Sequence, residues 1–192
     1  RIGAQIDAEA EAMYRRVLDE LLRFQIDAAD TVDYSLCYQT EIFAAEAMYF
    51  DLAYFRSMFL APLVKLPWEE AAFTRDGERL VALLLEAERH FFLYRDFQSR
   101  NVMIHNGDPH FIDFQSGRRG ALHYDVAALL FDSKGRLPSQ QRTRLLSHYR
   151  DGLEARIEID RARFHWMFEG FAVLRLLQAL GAFGNLGLNK NK

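Results

Sequence analysis

Three polar residues near the middle of the chain have the types and spacing that metal-dependent phosphoryl transfer uses. Asp96 is followed five residues later by Asn101, and Asp113 lies twelve residues beyond Asn101. In such reactions one carboxylate orients and deprotonates the acceptor hydroxyl, while an amide and a second carboxylate hold the metal ion on the nucleotide phosphates. The pattern predicts Asp96 as the catalytic base, with Asn101 and Asp113 binding Mg²⁺ and, through it, ATP.

The segment between the two metal-ligand candidates predicts a hairpin that brings them together. Short apolar runs at 102–104 and 110–112 flank the dipeptide Asn106-Gly107. Both residues of that dipeptide tolerate a positive φ, which makes it the strongest short-range hairpin signal. Asn101 would then face residue 112 or Asp113, at the roughly 5 Å spacing of facing residues in an antiparallel pair. The plainer interpretation is that Asn101 and Asp113 only end strands.

Other patterns in the sequence favour structural interpretations. His105 and His110 flank the hairpin, but no cysteine or third histidine lies nearby in sequence to complete a zinc site. Gly181, Gly184 and Gly187 follow a helical pattern rather than a strand, so a helix C-terminus is favoured over a dinucleotide-binding loop.

Two further groups of residues remain open to a functional role. Arg118 and Arg119 follow Asp113 and could meet a phosphate, although a solvated pair in a polar loop from 115 to 120 is favoured. The aromatic cluster between residues 43 and 59 is predicted to lie mostly in the hydrophobic core.

Composition limits the class of protein. The 192 residues suit one domain or a single large lobe, and half of them are hydrophobic. A net charge of −3 gives no basic surface for nucleic acid. Cys37 is the single cysteine, which excludes an internal disulfide and favours the reducing cytoplasm.

Hydrophobic periodicity predicts a mainly α fold with a small β-hairpin element and no internal repeat. The last helix contains His165, Glu169 and Arg175 near its apolar residues, which favours a core helix over a membrane span. The predicted helices cover 7–29 with Asp7 as its cap, about 40–60 ending before Pro62 and Pro67, roughly 77–90, 124–131, 139–156 capped by Ser139, and a final helix capped by Asp160 that includes 164–183; residues 91–93 are predicted as a short buried strand.

This layout resembles the C-terminal, helical lobe of the aminoglycoside phosphotransferase and choline kinase-like family, which has a protein-kinase-like fold. Tyr94-Arg95-Asp96 with Asn101 is similar to the family's catalytic loop, with Tyr94 where the kinase fold usually has His. Residues 112–115, Ile-Asp-Phe-Gln, resemble its metal motif. Residues 124–127, Tyr-Asp-Val-Ala, resemble the following Tyr-Asp-Leu-Ala segment.

The resemblance implies further site residues and a substrate class. Asp125 is expected to accept hydrogen bonds from the backbone of the catalytic loop. Glu46, Tyr49 and Tyr54 fall near the place where family members bind their acceptor. The tail at 177–184 is similar to that of bacterial amino-sugar kinases, which phosphorylate N-acetylmuramate or N-acetylglucosamine. The expected partner is therefore a small sugar-like alcohol, with no nucleic acid and no membrane.

One part of the kinase template is not visible in the sequence. The fold needs a Gly-rich loop over the phosphates and a strand lysine before the helical lobe, and Gly3 and Gly77 are the only glycines before Asp96. We therefore expect residues 1–192 to be a C-terminal lobe whose N-terminal, nucleotide-clamping lobe is missing, and to be inactive alone. The alternative is a degenerate kinase-like lobe that serves as a non-catalytic binding scaffold.

Overall fold

The computed structural model describes residues 6–189, so Gly3 lies outside the described part. Helices make up most of this region and surround two small antiparallel sheets, as the predicted fold class requires. The helices are α1 Ala8–Asp27, α2 Ala45–Phe55, α3 Ala61–Leu63, α4 Glu70–Leu84, α5 His123–Leu130, α6 Ser139–Glu154 and α7 Arg161–Asn189, with 3₁₀ turns at Tyr34–Leu36 and Ser99–Asn101 and a π-helix at Arg56–Leu60; the strands are β1 Phe91–Leu93, β2 Val102–His105, β3 Asp108–Phe111 and β4 Arg118–Gly120.

The first helix follows the sequence prediction closely. Asp7 caps α1 by accepting a 2.8 Å hydrogen bond from the backbone N–H of Ala10. Its apolar side packs against α6 and β1, where Val17 and Leu21 are buried.

The second predicted helix begins five residues later than expected, at Ala45. The backbone of residues 41–43 instead pairs with β4, because Phe43 N–H donates to the carbonyl of Arg119 and Arg119 N–H donates to that of Glu41, each at 2.8 Å. Pro62 does not end the helical path, since it occupies the first turn of α3, where proline is tolerated.

The third helix was predicted about seven residues too late. It runs from Glu70 to Leu84, so Gly77 lies in its interior rather than at its start. A Cβ at Gly77 would come within 3.2 Å of the Leu52 side chain on α2. The glycine thus allows α4 and α2 to approach closely, which a propensity argument from the sequence does not reveal.

The two sheets are each formed by one antiparallel pair. Strands β2 and β3 form the predicted hairpin, with Asn106 and Gly107 at φ 51° and 83° in its turn. The predicted strand 91–93 is present as β1, and it pairs with β4. Residues 118–120 are therefore a strand, and the predicted polar loop over 115–120 is wrong at its second half.

Of the two caps predicted for the C-terminal helices, one is confirmed and the other is wrong. Asp160 caps α7 by accepting hydrogen bonds from the backbone N–H groups of Ala162 and Arg163. Ser139 is the first residue of α6 and makes no capping hydrogen bond, so that predicted cap is wrong.

Helix α7 is longer than predicted and includes the three glycines. A Cβ at Gly184 would overlap the carbonyl of Met58, and one at Gly181 would lie 3.1 Å from the backbone of Phe55. Gly181 and Gly184 therefore belong to a close helix-to-helix contact, whereas a Cβ at Gly187 would meet nothing within 4 Å. All three glycines lie within α7, so their interpretation as a helix C-terminus is wrong. By length and composition α7 could cross a membrane. About a third of its most apolar stretch is buried inside the protein.

Two groups of buried side chains lie on either side of β1 and α5. One lies between α1, α5, α6 and the start of α7, and includes Leu18 and Tyr149. The other lies between α2, α4 and α7, and includes Met48 and Phe171. The loop between β1 and β2, residues 94–101, is supported by both groups because Tyr94 and Phe97 belong to the first and Leu93 to the second.

Candidate active site

The hairpin brings the two predicted metal ligands next to each other. The backbone N–H of Ile112 donates a 3.1 Å hydrogen bond to the carbonyl of Asn101, one step beyond the Val102–Phe111 pair. Asp113 follows Ile112 directly and has a φ of 71°, in the left-handed region. Such a backbone is uncommon outside glycine and is a frequent feature of functional sites.

Asn101 also ties the metal-ligand pair to the predicted base. Its side-chain Nδ2 donates a 2.9 Å hydrogen bond to the backbone carbonyl of Asp96, and the residue is buried. This use of Nδ2 leaves Oδ1 as the atom that can accept or coordinate. Among the described residues, no side chain or backbone group hydrogen-bonds to the carboxylate of Asp96 or of Asp113. Both carboxylates are therefore available to a ligand.

A buried carboxylate holds the start of the loop that contains Asp96. Asp125 on α5 is fully buried, and its Oδ2 and Oδ1 accept hydrogen bonds of 2.7 and 2.9 Å from the backbone N–H groups of Tyr94 and Arg95. Burial raises the pKa of Asp125 to about 7, although the two N–H donors oppose that rise. The expected role of Asp125 as a support for this loop is confirmed.

Arg95 makes a buried ion pair that the sequence did not reveal. Its Nη2 donates to both oxygens of Asp51 on α2, at 2.7 and 2.8 Å. The guanidinium also lies over the rings of Phe43 and Tyr124, 4.7 Å from each centroid. The available signal was an acid on the apolar side of α2, since Asp51 lies between the buried residues Met48 and Leu52.

A third carboxylate supports the other end of the loop. Asp132, two residues past α5, accepts a 2.9 Å hydrogen bond from the backbone N–H of Ser99 and another from the Ser99 hydroxyl. Asp51, Asp125 and Asp132 thus hold residues 94–99 from three positions in the chain. Asp132 was not singled out from the sequence either.

Tyr94 has a structural role at the position where the kinase fold usually has His. Its hydroxyl donates a 2.7 Å hydrogen bond to the carbonyl of Ile112, and its ring packs against Phe97 at a centroid distance of 5.4 Å. Tyr94 therefore joins the catalytic loop to the residue that precedes Asp113.

The arginine pair after Asp113 is not a solvated loop pair. Arg118 is buried and donates to the carbonyl of Ser116 and to the side chains of Thr40 and Gln39. Arg119 donates to the carbonyl of His90, with its guanidinium over the ring of Tyr34. The predicted solvated loop pair is wrong because these residues belong to strand β4 and their side chains pack against neighbouring segments.

The remaining candidates differ in exposure. Glu46, Tyr49 and the adjacent Phe50 are exposed on α2, and the ring of Tyr54 stacks on that of Phe50 at 6.3 Å. The rings of His105 and His110 lie 6.0 Å apart. Within residues 6–189, no group of three or more His, Cys, Asp or Glu side chains could hold a metal ion.

Comparison with known families decides the relationship of the chain. The family described as the phosphotransferase enzyme family, APH, matches residues 3–165. The chain belongs to this family.

Two kinases are similar in sequence to this family member. An N-acetylmuramate/N-acetylglucosamine kinase of Pseudomonas aeruginosa is 28% identical over 144 residues, which cover 73% of the chain and 40% of that kinase. A kinase of the same name from Neisseria meningitidis serogroup B is 30% identical over 105 residues, covering 53% of the chain and 31% of the relative. The chain spans well under half the length of these curated relatives.

A solved structure gives the same fold. Choline kinase from Cryptosporidium parvum is similar with a TM-score of 0.53 over 90% of the chain and 58% of that kinase, at 13% sequence identity. The likeness confirms the helical lobe of a protein-kinase-like fold, and at this identity it carries no information on substrate.

Proposed function

We propose that the phosphotransferase containing this chain is an ATP-dependent kinase that phosphorylates a hydroxyl group of an amino sugar. One observation carries the proposal: Asn101 hydrogen-bonds to Asp96 through its side chain and to Ile112, the neighbour of Asp113, through its backbone. These two contacts support the proposal because they link the proposed base to the two proposed metal ligands in a member of a phosphotransferase family.

Asp96 is the proposed catalytic base. Its carboxylate accepts a hydrogen bond from the acceptor hydroxyl and takes its proton as the new oxygen–phosphorus bond forms and the bond from the γ-phosphorus to ADP breaks. The loop that carries Asp96 is supported by Asp125 and Asp132, so little reorganisation is needed at the moment of reaction.

Asn101 and Asp113 are the proposed ligands of Mg²⁺. The donor set fits, because an amide oxygen and a carboxylate are hard ligands and Mg²⁺ keeps water and phosphate oxygens in its remaining positions. The engaged Nδ2 of Asn101 leaves Oδ1 for the ion, and the exposed carboxylate of Asp113 has no hydrogen-bond partner among the described residues. When bound, Mg²⁺ neutralises charge on the transferring phosphoryl group.

The amino-sugar assignment is supported by the two curated relatives, both named for N-acetylmuramate and N-acetylglucosamine. The positive charges of Arg118 and Arg119, which follow Asp113, do not support it. Arg118 and Arg119 are engaged with the 39–40 loop and His90, so neither offers a free cation to an anionic acceptor. Exposed aromatic rings on α2, Tyr49 and Phe50, supply the kind of surface on which sugars stack.

The chain is proposed to be the C-terminal lobe of a longer protein whose N-terminal lobe supplies donors to the phosphates. Support comes from the 40% and 31% shares of the two relatives that the chain matches. The non-catalytic scaffold is disfavoured by Tyr94, which stands where the kinase fold usually has His. The Tyr94 hydroxyl binds the carbonyl of Ile112 and so preserves a link between the two active-site loops.

The experiment is an assay of ADP release by the full-length protein. The acceptor panel comprises N-acetylmuramate, N-acetylglucosamine, glucose, choline and an aminoglycoside, each with Mg-ATP. Turnover confined to the N-acetylated sugars is expected. Turnover confined to choline or to the aminoglycoside would contradict the substrate class, and none with any acceptor would favour the scaffold.

A further inference from the structure

The ion pair between Asp51 and Arg95 joins two parts of the molecule that are 44 residues apart in sequence. Asp51 lies on α2 and is 1% exposed, while Arg95 immediately precedes the proposed base, Asp96. The carboxylate receives both hydrogen bonds from one guanidinium nitrogen, at 2.7 and 2.8 Å.

Arg95 is constrained on every side. Its guanidinium lies over Phe43 and Tyr124, donates to the Tyr124 hydroxyl and is paired with Asp51. Its backbone N–H is held by Asp125, and its φ is 78°, a left-handed conformation that is costly for a residue with a long side chain. The side-chain contacts hold this conformation, and the conformation sets the direction in which the chain enters Asp96.

Helix α2 carries the exposed aromatic residues on its other side. Tyr49 and Phe50 are exposed, whereas Asp51 and Leu52 point into the protein. The ion pair therefore connects the helix that presents a sugar-type surface to the residue before the base. Burial raises the pKa of Asp51, and the adjacent Arg95 guanidinium opposes that rise.

We propose that Asp51 is a positioning residue for phosphoryl transfer, acting through Arg95 to fix Asp96 relative to α2. This inference rests on the proposed function. A buried ion pair of this kind contributes little net stability, because desolvation of the two charges offsets their attraction. Its value is geometric, since Nη2 donates to Asp51 while Nη1 donates to the Tyr124 hydroxyl, so the planar guanidinium is held at two points.

Replacing both partners in the full-length protein distinguishes an effect on the position of Asp96 from an effect on the stability of the fold. Asp51→Leu combined with Arg95→Met fills the space with apolar groups, a change that typically leaves a buried site as stable as before or more so. We expect the melting temperature and the Kd for Mg-ATP to stay near wild type while kcat falls about 100-fold, the scale of a small misplacement of a catalytic group. Wild-type kcat in the folded double variant would overturn the inference.

A second variant decides the matter if the double variant does not fold. Arg95→Lys keeps the charge next to Asp51 but loses the planar fork, and kcat should fall about tenfold or more with the Kd for Mg-ATP unchanged. Unchanged kcat in Arg95→Lys would overturn the inference.

Two controls complete the experiment. Removing the exposed pair Asp27–Arg156 by Asp27→Asn with Arg156→Gln should leave kcat at wild type. Asp96→Asn tests the proposed function itself. If Asp96→Asn is inactive and the Asp51–Arg95 variants are fully active, only the positioning role fails; if Asp96→Asn is fully active, the proposed function fails.

Discussion

The carboxylate of Asp125 accepts a 2.7 Å hydrogen bond from the backbone N–H of Tyr94, and both groups are buried. Its second oxygen accepts from the next N–H in the chain, that of Arg95. Two acceptors on one carboxylate thus serve two consecutive backbone donors, one buried and one partly buried. The contact explains how the short helix α5 can hold a loop in which Arg95 has a left-handed backbone conformation.

Asp125→Asn should destabilise the fold. An amide has one oxygen, so one of the two buried N–H groups loses its partner, at a cost of about 1–3 kcal/mol in the free energy of unfolding. Urea unfolding followed by circular dichroism measures the change. Asp76→Asn is the matched control, because Asp76 is exposed and its ion pairs are long. Equal stability of Asp125→Asn and Asp76→Asn would contradict the supporting role.

Acid should weaken the fold through His123. The ring is stacked on Phe171 and packs at a tilt against Phe164, and neither nitrogen has a hydrogen-bond partner within the described part of the chain. Burial lowers the pKa of His123 to about 3. The unfolded chain binds a proton at His123 near pH 6.5, and the folded chain does not. The free energy of unfolding is therefore unaffected by His123 above pH 6.5 and decreases as the pH falls from 6.5 towards 3.

His123→Phe should remove that part of the pH dependence. Between pH 7.5 and 5 the wild type should lose about 2 kcal/mol more of unfolding free energy than the variant, because the slope approaches 1.36 kcal/mol per pH unit below pH 6.5. A cavity of about 220 Å³ lined in part by His123 gives the larger ring room. Chemical unfolding of both proteins at pH 7.5, 6 and 5 is the measurement, and parallel stability curves would refute the account.

Replacing Gly184 or Gly187 of α7 by alanine should change the stability of the protein in opposite directions. Gly184→Ala places a Cβ on the carbonyl of Met58 and should destabilise the protein by about 1–3 kcal/mol as the helices shift apart. Gly187→Ala meets nothing within 4 Å and should stabilise by about 0.5–1 kcal/mol, because alanine favours a helix over glycine. Thermal unfolding of both variants checks the prediction, and stabilisation by both would show that the close contact is absent.

The isolated chain should self-associate and bind nucleotide weakly. An apolar groove of about 600 Å³ next to Asp113 is lined by Tyr94, Phe111 and Phe114, and Phe114 is two-thirds exposed. Exposed apolar surface of this kind favours association. Sedimentation velocity should detect oligomers that Phe114→Ser reduces, whereas a monomer at all concentrations would contradict the prediction.

Nucleotide binding by the same chain is a separate measurement. Two protein ligands hold Mg²⁺ poorly without phosphate oxygens that are themselves well held, because the ion gives up water reluctantly. Calorimetry with Mg-ATP should give a Kd weaker than micromolar. Micromolar binding, or measurable phosphoryl transfer, would show that residues 1–192 suffice for an active site.

Local signals in the sequence predicted the parts of the site that depend on neighbouring residues. The Asn106-Gly107 turn specifies the hairpin, and the hairpin alone brings Asn101 to Ile112. Asp7 and Asp160 cap the helices that follow them, for the same local reason.

Contacts between distant segments were not predictable in this way. The pairing of β1 with β4 depends on a register between strands 25 residues or more apart, which no local pattern encodes. The Asp51–Arg95 pair requires α2 to pack beside the catalytic loop, so its sole trace in the sequence is an acid on an apolar helix face. The helix predicted at roughly 77–90 begins seven residues earlier, at Glu70, and the contact that favours a glycine inside it, between Gly77 and Leu52, is tertiary.

The central claim is that Asp96 is the base of a phosphotransferase, and the most direct measurement is kcat for Asp96→Asn in the full-length protein with its preferred acceptor and Mg-ATP. The isosteric amide keeps the shape of the side chain but cannot take the proton of the hydroxyl. We predict a fall in kcat of about 10²–10⁴-fold with the Kd for Mg-ATP unchanged. Turnover equal to that of the wild type would contradict the assignment.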